Sequence, residues 1–218
     1  MPLDPQILPL YFATILVLIL VPGPTSLLVV SRSLFQGRWI GCVTSLGTLS
    51  GNLVHTALAA AGISAVVAAS PALFDALRLA GAAYLAWLGA RALYSAWLAW
   101  RSNSGQQFRP LPPSSSHRAF VHALLTNLLN PKVILFYLAF VPQFVSASAG
   151  PVALQTLLLG AMLASVATVY HLGLVWIAAG TAQRLLRMRL FNVLLNGITG
   201  LLFIGFAIRI FLTERKFA

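Results

Sequence analysis

Six predominantly apolar stretches, each long enough to cross a bilayer, take up almost the whole chain: about 7–30, 40–69, 73–100, 120–145, 152–179 and 190–212. A span needs about 20 such residues when helical, and helices satisfy their own backbone where no water can. The chain is 59% hydrophobic and 8% charged, against about 25% charged in a soluble domain, so most of it cannot face water. The expectation is an all-α integral membrane protein with about six transmembrane helices, forming one transmembrane domain over 1–218. One polar linker, at about 101–118, is rich in Ser, Pro and Gln and separates residues 7–100 from 119–212.

The net charge of +11 is explained by topology rather than by a nucleic-acid partner. A nucleic-acid binder clusters its basic residues on a solvated face, whereas here they sit at the ends of apolar runs. Arg32, Arg38, Arg101, Arg109, Arg118, Arg184, Arg187 and Arg189 fall after spans one, three and five. The connections after spans two and four hold no Lys or Arg, and the C-terminal tail holds Arg215 and Lys216. Basic loops stay cytoplasmic, so both termini are expected outside. No Lys or Arg precedes Arg32, so the first span lacks the positive start of a cleaved signal and reads as a retained helix. The single cysteine, Cys42, excludes an internal disulfide and a cysteine metal cluster. No cofactor or metal is expected.

The two halves echo one another. Gly81-Ala-Ala-Tyr-Leu-Ala-Trp-Leu-Gly89 resembles Gly197-Ile-Thr-Gly-Leu-Leu-Phe-Ile-Gly205, and the same offset sets His55 against His171. Three spans are an odd number, so the second half enters from the opposite face. Two inverted three-helix repeats follow, a plan that puts a transport site at the midplane between them.

Prolines mark where that site should lie. Span one is interrupted at Pro22, Gly23 and Pro24, and span four at Asn130 and Pro131. A break at membrane depth is tolerated where it is buried in protein or lines a wet cavity, and paired breaks in two halves point to a binding site. The helix restarting after Pro24 offers free N–H groups to a carboxylate, with Thr25 or Ser26 filling part of that turn. Carbonyls freed near Val21 could accept from an ammonium group. Lys132 lies roughly 18 Å into span four, too deep to snorkel easily, and the only acids are Asp4, Asp75 and Glu214, none deep in a span. Its counter-charge is expected to be the substrate's carboxylate, oriented by Asn127 and Asn130, three apart on neighbouring faces of the same helix. A structural reading has Lys132 capping freed carbonyls. His55 and His171 are candidates for proton coupling, with interhelical packing bonds as the plainer role. Gly47-x-x-x-Gly51, with Ser50 and Asn52, reads as a close helix contact.

Taken in order, Pro22-Gly23-Pro24, Gly47/Gly51, the Gly81–Gly89 run and Asn130-Pro131-Lys132 resemble the lysine exporter/homoserine-threonine resistance (LysE/RhtB) family of bacterial amino-acid exporters. The resemblance covers nearly the whole chain. It implies proton-driven efflux of amino acids or close derivatives across the inner membrane by a multi-pass protein, and a homodimer. It places substrate binding at the Pro-Gly-Pro and Asn-Pro-Lys positions and leaves the histidines open. A membrane-embedded enzyme would need a nucleophile and base, or metal ligands, at one depth. A cation exporter would need carboxylates or several Cys or Met. The spans offer neither at depth, which weighs against both. The paired breaks and the deep lysine weigh against a non-transporting assembly factor, and an exporter of a different small solute is a further alternative.

Overall fold

The computed structural model describes residues 3, 5, 7–20, 23–69, 71–101, 111–146, 149–178 and 188–212. Pro22, Val21 and the cations Arg109, Arg184, Arg187, Arg215 and Lys216 lie outside these residues. The described elements are α1 (Leu8–Leu20), α2 (Pro24–Gln36), α3 (Arg38–Ala69), α4 (Pro71–Arg101), α5 (Ser116–Leu128), α6 (Pro131–Leu135), α7 (Val152–Ala178) and α8 (Arg189–Leu212). A π turn (Phe136–Phe140) and a 3₁₀ turn (Val141–Phe144) prolong α6. No strand occurs among the described residues. Among the described residues, α7 is the one helix that by itself is long and apolar enough to cross a membrane. Helix α1 with α2, and α5 with the Pro131–Phe144 segment, reach that standard when each pair is taken together.

The polarity of the surface is inverted relative to a soluble bundle. Thr44, Ser45, Thr48, Asn52, Thr56, Asn127, Gln155 and Thr156 are buried, while Trp39, Leu129, Val169 and Phe211 are at least 70% exposed. Helix α7 shows the pattern within one element. It buries Gln155, Thr156, Gly160, Ala164, Ala167 and His171 and turns Leu157, Leu158 and Trp176 outward. Lipid tails are as apolar as leucine, so helices in a bilayer associate through small residues and polar bonds instead. The buried hydroxyls satisfy themselves locally, as where Thr44, Ser45 and Thr56 donate to carbonyls one turn back at 2.7, 3.0 and 2.8 Å.

Helix α3 runs through the centre and packs on α2, α5 and α7, while α4 lies along α8. The expected close contact at Gly47 and Gly51 is made with α5. A Cβ at Gly47 would come 2.8 Å from that of Ala123, and one at Gly51 would come 2.8 Å from Cβ of Asn127. Gly89 and Gly200 join α4 to α8 in the same way, each one's added Cβ falling 2.8 Å from the other's carbonyl oxygen.

Both interrupted spans break, bending by 56° between α1 and α2 and by 48° between α5 and the Pro131–Phe144 segment. Two boundaries differ from expectation. Helix α2 continues past Val30 to Gln36. Helix α5 begins inside the Ser-rich linker, because Ser115 caps it by accepting from the Arg118 N–H at 3.4 Å.

Candidate functional site

At the second break, residue type and position account for the geometry. A residue before proline avoids helical backbone, and Asn130 is extended at φ −78°, ψ 109°. Its side-chain oxygen then accepts from the Lys132 N–H at 3.1 Å, with Pro131 in the first helical position. Asparagine followed by proline is a favoured helix start. Asn127 and Asn130 therefore belong to different segments, Asn127 ending α5 and Asn130 opening α6, where the sequence pattern put both on one helix. Further on, Pro142 has no N–H for the Leu138 carbonyl, and the helix relaxes into the π and 3₁₀ turns that aim Phe136 and Tyr137 inward.

The first break restarts differently. Gly23 precedes α2 in extended conformation and Pro24 opens it, with no side chain capping the turn. Ser26 does not fill that turn either, since its hydroxyl lies 3.3 Å from His171 Nε2.

The two breaks meet at a cavity of about 450 Å³, counting its open mouth. Thr25 and Ser26 line it from α2, Asn127 from the end of α5, and Asn130 and Lys132 from the start of α6. Asn52 and His171 reach it from α3 and α7, and Tyr137 from the π turn. Leu18, Ile19, Val133, Phe136, Leu163 and Ala167 form its apolar wall. Lys132 brings its amine to the lining, and no acid lines the cavity among the described residues. Gly23 is buried just before α2, while Pro24 and Pro131 are exposed on the outer side of their turns.

The polar wall is tied together. Asn127 Nδ2 donates to Asn52 Oδ1 at 3.1 Å, and the Tyr137 hydroxyl reaches the Asn52 carbonyl at 3.1 Å and the Thr56 hydroxyl at 3.0 Å. His55 sits behind this wall, stacked on Tyr137 with ring centroids 5.6 Å apart and 3.4 Å from the Asn127 carbonyl. His171 faces the cavity itself. Thr48 donates its hydroxyl hydrogen to the Ser45 carbonyl at 2.8 Å, so it accepts from His171 Nδ1–H at 3.1 Å. That tautomer leaves Nε2 to accept from the Ser26 hydroxyl.

Sequence reasoning thus brought the two breaks and Lys132 to one site; it did not place His171 there, and it missed Asn52 and Tyr137 as cavity residues. Asn52 was legible only as part of the glycine contact. The signal for Tyr137 was Pro142, five residues on, which perturbs the turn that carries it.

Two broken helices meeting at a polar cavity, inside an all-helical chain with an apolar exterior, define a membrane translocator rather than an enzyme. The profile described as LysE type translocator matches residues 16–214, and the chain belongs to that family. It is 35% identical over 193 residues to the leucine efflux protein of Enterobacter sp. (strain 638), covering 88% of this chain and 89% of that one. It is 32% identical over 206 residues to the leucine efflux protein of Salmonella choleraesuis (strain SC-B67), covering 92% of each. The uncharacterized membrane protein YrhP of Bacillus subtilis (strain 168) is 29% identical over 202 residues, covering 91% of this chain and 95% of that one. No solved structure matches the chain significantly.

Proposed function

We propose that this translocator exports neutral aliphatic amino acids, leucine among them, from the cytoplasm across the bacterial inner membrane. Export of amino acids follows from the family and from relatives named for leucine efflux. The cavity supports the narrower class, and its lining is the single observation that carries it. One cation, two helix ends and an apolar wall suit a zwitterion with a hydrocarbon side chain. A second ammonium, as on lysine, would find no carboxylate there.

In this reading the substrate carboxylate lies between Lys132 and the uncapped start of α2 at Gly23, Pro24, Thr25 and Ser26. The ammonium faces the C-terminal end of α5 at Asn127, where the helix dipole is negative, with Asn52 and Asn130 beside it. Pro22 joins the site by its place in the motif alone. Proton coupling is assigned to His171, because protonation turns Nε2 from acceptor to donor and forces Ser26 to reorient beside the carboxylate. His55 takes the packing role behind Tyr137.

The proposal includes six spans in two inverted repeats, about 7–100 and 119–212, joined by a cytoplasmic linker, with both termini outside. A cross-contact supports the repeats: His55 of the first half touches Asn127 of the second half's broken span, and His171 touches Ser26 of the first half's. Alternating access then amounts to rocking one half against the other. Assembly as a homodimer rests on the family resemblance alone.

The test is mass spectrometry of amino acids in cells and medium, comparing cells that express the native protein, Lys132→Ala or an empty vector. Aliphatic amino acids should accumulate in the medium with the native protein only. Equal media from all three cultures, with the protein present in the membrane, would overturn the proposal.

A further inference from the structure

Two turns beyond Ser26, α2 carries a buried cation that the cavity does not use. Arg32 is 5% exposed, and it lies seven residues after Thr25. That spacing keeps it on the same face of the helix, roughly 10 Å further along. Its Nη1 is held firmly, sharing its two hydrogens among Gln36 Oε1 at 2.8 Å, the Pro112 carbonyl at 3.0 Å and the Ser114 hydroxyl at 2.6 Å. Gln36 is fixed in turn, since its Nε2 donates to the same Pro112 carbonyl at 2.9 Å. The opposite edge of the guanidinium is not matched in this way. Nη2 has a long contact of 3.4 Å to His122 Nδ1, and Nε is buried with no hydrogen-bond partner.

None of the four groups around Arg32 is a carboxylate. A buried guanidinium without an anion is costly, and a buried donor left unpaired adds to the cost. The Nε and Nη2 hydrogens point in parallel, and that edge fits the two oxygens of one carboxylate. We propose that Arg32 is a second carboxylate-recognition point, on the cytoplasmic approach to the cavity. Gln36, Pro112 and Ser114 hold the guanidinium in place, and the incoming amino acid takes the Nε–Nη2 edge in place of His122. The inference rests on the export reading, because it needs substrate to arrive from the side of the basic loops. It gives α2 two anion contacts on one face, Arg32 at its far end and Thr25–Ser26 at its start. A carboxylate can pass from the first to the second as the cytoplasmic side closes.

The test is the initial rate of leucine efflux from preloaded cells against internal leucine concentration, with membrane levels of each variant matched by immunoblot. Arg32→Lys keeps the charge and loses the fork. It should raise the half-saturating concentration about tenfold while the maximal rate stays within about twofold. His122→Ala, at an exposed position, removes the competing acceptor and should lower that concentration about two- to tenfold. A purely structural arginine would change protein level or maximal rate and leave half-saturation where it was. Unchanged half-saturation in both variants, with native export intact, overturns this inference alone. Absence of leucine export by the native protein would remove the export reading and this one with it.

Discussion

Gly51→Ala offers a quantitative test of how the site is held. The added Cβ would land against Asn127 Oδ1 and 2.8 Å from both Cβ and Cγ of Asn127. These atoms are 98% buried, at the end of α5, so the side chain cannot swing away and α5 must move off α3. Overpacking of this kind costs about 1–3 kcal/mol. The displacement also weakens the Asn127–Asn52 bond, and interhelical bonds in bilayers are worth about 0.6 kcal/mol. Against this, alanine in a helix interior gains about 0.5–1 kcal/mol over glycine. The net expectation is a loss of about 1–3 kcal/mol. Gly62, on the same helix, has nothing within 4 Å of its added Cβ, so Gly62→Ala should show only the propensity gain of about 0.5–1 kcal/mol. Reversible unfolding of the detergent-solubilised protein in rising denaturing detergent measures both. Opposite signs are expected for the same chemical change. A Gly51→Ala protein as stable as the native one, or equal losses at both positions, would refute the packing described for α3 and α5.

Three further outcomes follow from the cavity. Asn130→Ala removes the cap on Lys132 N–H and should cost about 1 kcal/mol in the same unfolding measurement. Asn130→Asp keeps the cap but places a carboxylate beside Lys132, and should abolish export without that loss of stability. His171→Leu removes the contacts to Ser26 and Thr48; leucine efflux from proteoliposomes should then stop responding to an imposed pH gradient, and a full response would refute the coupling role. Leu163→Asp puts an anion into the apolar wall. It should shift the lysine-to-leucine ratio in the medium about tenfold or more toward lysine, read by mass spectrometry.

What could be read from sequence depended on how local its cause was. The breaks were legible because proline acts within its own turn, and a close contact on α3 was legible, though not its partner α5, because two glycines one turn apart admit a neighbouring backbone. The face on which a residue lies was not legible in helices that are apolar all round. His55 and His171 read alike in sequence, as polar residues deep in apolar spans, yet one packs behind Tyr137 and the other faces the cavity. Arg32 read only as a topological charge at a helix end. Its burial depends on residues 111–114, about 80 positions away in the chain, and no local pattern carries such a contact. Ser115 looked like one of several serines in a linker until α5 was seen to start on it.

The two breaks are chemically unequal, and in the proposed binding mode that inequality orients the substrate. Where α6 restarts, Asn130 has already satisfied an orphan N–H, so little dipole attraction is left there for an incoming anion. Where α2 restarts, glycine supplies no cap and Ser26 is engaged with His171. In the proposed binding mode the carboxylate is therefore drawn to α2, with Lys132 reaching it from the facing segment. A cation in the first turn of α6 is disfavoured by that helix's own dipole, which makes an anion between the two segments worth more to Lys132 than solvent alone would. Binding in that proposed mode bridges α2 of the first proposed repeat and α6 of the second. A ligand that stabilises the contact between two halves changes their relative positions as it binds and leaves, and alternating access requires that coupling.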